Sequence, residues 1–390
     1  MKAKFLKIYY YAIIYGFQRA LIKSIGRTRY PILKKMYLVP RAKSISIIGC
    51  GQFAFSTIAY FLAKYQGNRF LNCFDIDTEA SESLGHYYGF SMTSNSMLKF
   101  YKEKPQYLYI SSNHASHTPY AIDAINNNIP HVYIEKPISV SHTQLIQLLA
   151  VKRLSNTVLY AGYNRPYASA ILTLNSYIVA QKADLPFTIN FFISGHKIEG
   201  NHWYRNPEEG TRVCGNIGHW IDLTIHLFNI RTRLPDQIDI TICYSNIEEF
   251  DDNLLISFVT DKNDLVSIAM TSRSEPFEGI NETINLQYGN IIAKIDDFRK
   301  IVVWQDDKKY FKNFFPKDVG HKRAILQPFL DGNRDWAEVE LSTLLMLHIK
   351  EMVCKAETYS IFNVVKQLGS LEESIKEEIK RNHESNHPRP

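Results

Sequence analysis

Three short runs in this chain hold side chains suited to chemistry. The first is Gly49-Cys50-Gly51-Gln52-Phe53-Ala54, a GxGxxA pattern between a β-rich run (44–48) and a segment of helical periodicity (53–65). In such a loop the first Gly allows a tight turn and the second lets backbone approach a pyrophosphate. Ala54 keeps helix and strand close, and the phosphates sit on the helix N-terminus beside Gln52 and Phe53. A second strand (69–75) ends in Asp75, 26 positions after Gly49. A carboxylate there accepts hydrogen bonds from the adenosine ribose and repels a 2′-phosphate, so NAD is favoured over NADP. The alternative role for Asp75 is a turn residue or helix cap, which Asp77 could fill instead. The second run, HVYIEKPIS, puts Glu135, Lys136 and Pro137 at the carboxyl end of another strand (131–134), where open α/β sheets bind ligands. Pro137 keeps Lys136 extended and aims its ammonium into the cleft. The third run, CGNIGHWIDL, sets His219, Asp222 and His226 at i, i+3 and i+7 on one helix face. That face looks like a metal cluster, but no further ligand is evident, so no metal site is expected.

These groups need a scaffold, and the hydrophobic pattern provides one. Strand-like runs at 44–48, 69–75, 107–111, 131–134 and 158–161 alternate with helical segments at 53–65, 78–87, 117–127 and 141–154. Alternation of this kind indicates a parallel sheet covered on both faces. Beyond about residue 185 seven closely spaced strands (187–194, 238–245, 253–259, 265–272, 280–288, 291–295, 301–304) indicate a mostly antiparallel sheet, interrupted by one helix over 219–229. Helices over 322–330, 338–356 and 371–381 follow, and the last eight residues read as frayed. The expected organisation is a basic amphipathic arm (1–43), a dinucleotide-binding domain (44–165), a substrate and oligomerisation α/β domain (166–360) and a C-terminal helix with its tail (361–390).

The chain has 390 residues, 45% of them hydrophobic and 22% charged, which excludes wholesale disorder and a small disulfide scaffold. Five cysteines without a CxxC pair fit reduced thiols. The net charge of +6 is uneven: residues 1–43 carry 11 Lys or Arg and no acid, and the remainder has 34 bases against 39 acids. A mildly acidic body without a recognition module argues against nucleic acid as partner. In the arm, residues 7–25 read as a helix broken near Gly26 and before Pro31. It lacks the features of a signal peptide. It reads either as an interfacial helix on anionic lipid or as an arm packed over the body with solvated charges.

The segments IIGCGQFA, FDID, ISSNHASHTPYAIDAINNNIPHVYIEKPIS and CGNIGHWIDL, in that order, make residues 44–360 resemble the glucose–fructose oxidoreductase/inositol dehydrogenase (Gfo/Idh/MocA) family. The resemblance implies a Rossmann domain, a second α/β domain with a large, mostly antiparallel open sheet, and a homo-oligomer built on that sheet. It makes Lys136 the cation at the reacting oxygen, Glu135 its neighbour at the cofactor, and His219 the proton relay. It also puts Ser112, Asn113 and His117 near the nicotinamide, although His117 could equally start a helix. One departure stands out: Gly215 replaces an Asp common in the family, and Asn216 sits where some relatives have Glu. Asn cannot act as a base. The segments GNHWYRNPEEGTRVCGN and GYNRPYAS resemble a subgroup found in surface polysaccharide biosynthesis. They offer Tyr163, Asn164, Arg165, His202, Trp203, Tyr204, Arg205 and Arg212 as candidates to meet sugar rings and anions, about half of them in direct contact.

The expectation is therefore an NAD-dependent oxidoreductase acting on a sugar or sugar nucleotide. The expected location is the cytoplasm, with peripheral contact to the inner membrane through residues 1–40 where the arm is lipid-facing. The alternatives are a non-catalytic dinucleotide-sensing regulator or scaffold, and redox-neutral NAD-dependent glycoside cleavage or epimerisation.

Overall fold

A computed structural model of the chain describes residues 2–30, 33–37, 39–181, 184–245, 251–274 and 279–386. Two units emerge, each discontinuous in sequence: Phe17–Gly162 with Lys322–Trp336 and Glu372–Pro390, and Met1–Gly16 with Tyr163–His321 and Ala337–Leu371.

The arm folds as two helices, α1 (Lys2–Tyr15) and α2 (Phe17–Thr28). The break falls at Gly16 rather than Gly26, because Gly16 has φ 84, a left-handed backbone that glycine adopts without a Cβ penalty. Gly26 lies inside α2.

The first unit holds strands β1 (Pro40–Ile48), β2 (Asn68–Phe74), β3 (Met92–Ser94), β4 (Tyr107–Ile110), β5 (His131–Ile134) and β6 (Val158–Ala161). They are parallel in the order β3-β2-β1-β4-β5-β6, the doubly wound Rossmann arrangement. Helices α3 (Ala59–Gln66), α4 (Thr78–Tyr88), α5 (Met97–Phe100), α6 (His114–Asn126) and α7 (His142–Arg153) connect them. Ile45, Ile47, Phe55, Phe70, Tyr88 and Tyr109 form the core with Ile325, which returns from far along the chain. Tyr109 OH donates to the Ile325 carbonyl at 2.8 Å, and the Gln327 amide donates to the Ala161 carbonyl at 2.9 Å.

The second unit holds α8 (Ser169–Ala180), β7 (Phe187–Ser194), α9 (Gly218–Ile230), β8 (Gln237–Tyr244), β9 (Leu254–Thr260), β10 (Leu265–Thr271), β11 (Asn281–Tyr288), β12 (Ile291–Asp296), β13 (Lys300–Gln305) and β14 (Lys308–Asn313). After α10 (His321–Leu326) and α11 (Trp336–Cys354) come β15 (Tyr359–Asn363) and α12 (Val364–Asn386). The nine strands form one sheet in the order β14-β13-β12-β11-β7-β10-β9-β8-β15, antiparallel except for β10 beside β7. Burial alternates along β7, β9 and β12, so one face packs on helices and the other is open. The protein is thus α/β, a Rossmann sheet plus a large, mostly antiparallel sheet. Strands β3, β14 and β15 and helix α5 are too short or too polar to stand out by periodicity. The last four residues of the tail expected to fray lie outside the described residues.

Candidate active site

The glycine loop closes β1 and opens a helix whose first turns are π-helical, over Ala54–Ile58. The wider turn leaves carbonyls for outside donors. Tyr88 OH bonds the Phe55 carbonyl at 2.7 Å, and the Arg19 guanidinium bonds the Ser56 carbonyl. Gly49 has φ 85, and a Cβ there would lie 2.5 Å from the backbone of Ser111 and Ser112. Nothing lies within 4 Å of where a Gly51 Cβ would stand, so backbone is open to a ligand at that point.

Asp75 follows β2. Its Oδ2 accepts the Cys50 N–H at 2.6 Å and its Oδ1 accepts the Asp77 N–H at 3.0 Å. Asp77 takes the capping role on α4, accepting from the Glu79 and Ala80 N–H groups. The carboxylate of Asp75 is therefore held at the glycine loop and is free of helix-capping duty.

Helix α2 supplies contacts that the sequence did not reveal. Arg29 donates to the Cys50 carbonyl at 2.7 Å and to Ser83 Oγ at 2.8 Å, with its guanidinium 4.4 Å from the Phe55 ring centre. The Gln52 amide reaches the Lys23 carbonyl at 3.2 Å. A Cβ on Gly26 would meet Phe55 at 2.9 Å, so the helix lies directly on the loop. The only hint in the sequence is an acid-free run with helical spacing, which does not say what it packs on.

Lys136 ends β5 and is half-buried, and the Lys136–Pro137 peptide is cis. Glu135 turns into the fold, accepting from Tyr133 OH at 2.9 Å and packing where Gly162 leaves room for it. His117, expected near the nicotinamide or at a helix start, lies within α6 and is fully buried. Its Nδ1 is 2.8 Å from the Pro137 carbonyl and its Nε2 3.0 Å from the Ser112 carbonyl. Burial lowers its pKa to about 4, helped by the nearby Lys136 charge, while the two carbonyls pull the other way. The ring is neutral at pH 7, so it donates to one carbonyl at a time. It ties the loop after β4 to the loop after β5. Asn113 occupies the N-cap position of α6, and Ser112 Oγ receives the Ser116 hydroxyl at 2.7 Å.

The candidates of the second unit form a separate group. Helix α9 opens behind a π-helical segment, Val213–Ile217, which contains Gly215 and Asn216. His219 is buried, with its ring centre 6.3 Å from that of Tyr163. Tyr163 OH in turn is 3.5 Å from Met346 Sδ. Asn164 donates to the Val319 carbonyl at 2.5 Å. Arg165 pairs with Glu282 at 2.9 Å, and Glu282 also accepts from the Trp220 indole at 2.8 Å. Arg212 is fully buried. It pairs with Asp252 at 2.6 Å and donates to the His196 carbonyl at 2.9 Å, with Nε 3.4 Å from Asn216 Oδ1. Arg205 reaches Asp252 at 2.6 Å and Asp251 at 3.0 Å. Burial alone would raise the Asp252 carboxyl, but the two guanidiniums hold it below its ordinary value. These three arginines thus order the fold around α9. His202 stacks on Trp203, and Tyr204 meets both rings edge-on, 4.3 Å from that of the exposed Trp203. His226 pairs with Glu338 at 2.9 Å, and Asp222 accepts from Ser342 at 2.9 Å. Among the described residues no three His, Cys, Asp or Glu side chains converge as a metal site.

Residues 43–163 match the family described as "Oxidoreductase family, NAD-binding Rossmann fold", GFO_IDH_MocA. Residues 43–163 are therefore similar to the NAD-binding domain of that oxidoreductase family. Solved structures with the same fold include a Gfo/Idh/MocA family oxidoreductase from Vibrio cholerae, at 18% identity and TM-score 0.62, covering 81% of this chain and 98% of that one. A dehydrogenase (MviM) from Clostridium difficile is similar at 15% identity and TM-score 0.62, covering 81% and 100%. A levoglucosan dehydrogenase in complex with NADH and L-sorbose is similar at 12% identity and TM-score 0.65, covering 83% and 100%. No curated protein matches the chain. The family domain ends where β6 ends, so it contains the glycine loop, Asp75 and Lys136 but not His219.

Proposed function

We propose that the protein is an NAD-dependent oxidoreductase that moves a hydride between nicotinamide and a hydroxyl or carbonyl of a sugar or sugar nucleotide. One observation carries this reading: Gly51, Asp75 and Lys136 follow β1, β2 and β5 at the same carboxyl edge of one parallel sheet. The open backbone at Gly51 and the carboxylate held at the loop fit a dinucleotide, with Gln52 and Phe53 at the helix start taking the pyrophosphate. The Asp75 charge favours NAD over NADP.

When bound, the nicotinamide supplies or accepts the hydride. Lys136 holds the substrate oxygen and stabilises the negative charge that develops on it. The family resemblance gives His219 the role of passing the proton. Asn216 orients substrate and cannot replace a carboxylate base. Glu135, Ser112, Asn113 and His117 shape the nicotinamide end, His117 through the Ser112 and Pro137 carbonyls that its ring meets. Tyr163, His202, Trp203 and Tyr204 offer rings to a sugar face. Arg165 and Arg212 pair with Glu282 and Asp252 within the fold, which favours a supporting role for them over direct contact with substrate.

A place in surface polysaccharide biosynthesis rests on the resemblance of residues 162–169 and 200–216 to that subgroup. The open face of the large sheet fits a homo-oligomer. The exposed side of α1 fits peripheral contact with the inner membrane surface, with the body in the cytoplasm. Among the described residues no helix is long and apolar enough to cross a membrane.

The test is titration with NAD and NADP, then turnover on a panel of sugars and sugar nucleotides. The expected result is NAD binding lost in Gly51→Trp, and turnover lost in Lys136→Ala with binding retained. NAD binding without any hydride exchange would instead favour a dinucleotide-sensing regulator. Turnover with no net change in nicotinamide absorbance would favour redox-neutral cleavage or epimerisation.

A further inference from the structure

We infer that Arg29 is a positioning residue of the cofactor loop: its guanidinium holds the Cys50 carbonyl so that the Gly51 N–H is aimed at the pyrophosphate of a dinucleotide. The inference rests on reading the glycine loop as the dinucleotide site. It gives that site a residue of the arm, outside the residues that match the family, which begin at 43.

The backbone at Arg29 is the first sign. Arg29 is the first residue past α2, with φ 50, and its N–H closes the last helical turn on the Ile25 carbonyl at 2.8 Å. A left-handed residue at this place is commonly glycine, because a Cβ is crowded there. Strain retained at one residue calls for a reason in its side chain. Here the guanidinium ties three segments together. Nε donates to the Gly26 carbonyl of its own helix at 2.8 Å, one terminal nitrogen to Ser83 Oγ on α4 at 2.8 Å, and the other to the Cys50 carbonyl at 2.7 Å. It also lies over the Phe55 ring, 4.4 Å from the ring centre. A planar fork with fixed donor directions suits this task, and the single flexible ammonium of a lysine does not.

What this does to the loop follows from peptide geometry. Both backbone groups of Cys50 are held, the N–H by Asp75 Oδ2 at 2.6 Å and the carbonyl by Arg29. The Cys50–Gly51 peptide is trans, so its N–H points opposite to the carbonyl that Arg29 holds. Fixing one end of a planar peptide fixes the other. The Gly51 N–H meets no acceptor among the described residues, and nothing lies within 4 Å of where a Gly51 Cβ would stand. Arg29 therefore presents an open donor whose direction is set before a ligand arrives. Without the guanidinium the peptide is free to turn, and the cost of ordering it falls on the binding step.

The test pairs a magnetic-resonance signature with ligand titrations on the full chain. Isotope labels on cysteine carbonyls and glycine nitrogens select the Cys-Gly peptides, and the chain has two, Cys50–Gly51 and Cys214–Gly215. Arg29→Gly removes the guanidinium and accommodates the left-handed backbone. In this variant the Cys50–Gly51 signal should move while the Cys214–Gly215 signal stays. NAD and ADP, which share the linked phosphates, should both bind about 10- to 100-fold more weakly, the loss expected for one charge-assisted hydrogen bond. Ile22→Ala serves as the control, since it loosens α2 through the core and away from the loop. It should leave both affinities within about twofold. An unmoved Cys50–Gly51 signal, an equal loss of affinity in Ile22→Ala, or a loss for NAD with ADP unchanged would each overturn the inference. If the unaltered chain takes up neither NAD nor ADP, the cofactor reading falls and this inference with it, whatever the signal shows of the Arg29 contact.

Discussion

At Cys50 several recognitions meet on one residue. Its N–H is held by Asp75 and its carbonyl by Arg29, while its thiol is buried between β1 and β2 and pushed above its ordinary pKa by a hydrogen bond to Cys73 and by burial. The glycine loop is thus shaped from both sides before any cofactor arrives. Charge-assisted hydrogen bonds contribute about 1.5–3 kcal/mol. Asp75→Ala should therefore weaken NAD by roughly 10- to 100-fold and weaken NADP less, which paired fluorescence titrations would reveal. His117 supports a second expectation. Its pKa in the fold is about 4 against an ordinary 6.5, so the stability it lends is complete above pH 6.5 and is lost as pH falls toward 4. The loss by pH 4 is about 3 kcal/mol. In denaturant midpoints measured from pH 7.5 to 4, His117→Gln should start lower and decline less steeply.

The loop, its acid and the EKP lysine were legible in the sequence because each is a fixed residue type at a strand end. What His117 joins was not, since a lone His beside a helix start carries no sign of the two carbonyls it meets. The partners of Arg165 and Arg212 were equally hidden: Glu282 and Asp252 are 117 and 40 positions away.

Among the elements, the helices that carry functional candidates approach their neighbours through glycine, and the kind of neighbour sets the tolerance. A Cβ on Gly218 would meet the Met346 sulfur at 2.7 Å, the end of a flexible side chain, so α9 and α11 can adjust. A Cβ on Gly49 would meet peptide backbone at 2.5 Å at a φ of 85, and neither can yield. Gly49→Ala should therefore lower the melting temperature clearly more than Gly218→Ala and abolish NAD binding, as thermal shift with and without NAD would record. Gly26→Leu should cost about 1–3 kcal/mol through overpacking and raise the Kd for NAD, because it lifts α2 from Phe55 and the loop. The helical periodicity of the arm was readable, but its break was not. Gly16 and Gly26 look alike in sequence, and only the left-handed backbone at Gly16 separates them.

For the molecule as a whole, the large sheet leaves Phe192, Val259, Leu265 and Ile292 on its open face, each half exposed. Leu265 pairs with Val259 across β10 and β9, and Thr188 and Gln287 lie between Leu265 and Ile292 in the same row. Half-exposed apolar groups spread over an uncovered sheet face fit the homo-oligomer proposed above. Phe192→Glu/Leu265→Glu should convert a homo-oligomer to monomer in light scattering while leaving NAD affinity unchanged. Both sheets were foreseeable from strand spacing, whereas their outermost strands, β3, β14 and β15, were not, because short or polar edges carry little hydrophobic signal.

The return of Ile325 and Gln327 to the Rossmann sheet has a consequence for the order of events during synthesis. The six parallel strands have all left the ribosome once residue 161 emerges, yet Tyr109 and Ala161 still lack the partners that close the core. The cofactor fold must wait, partly open, while some 160 further residues of the other sheet are made. Domains generally fold as units from the N-terminal end as they emerge; here the earlier unit is finished by later chain. The ability to hold NAD should accordingly appear late and abruptly in a series of stalled nascent chains, after residue 327 is free rather than after residue 165.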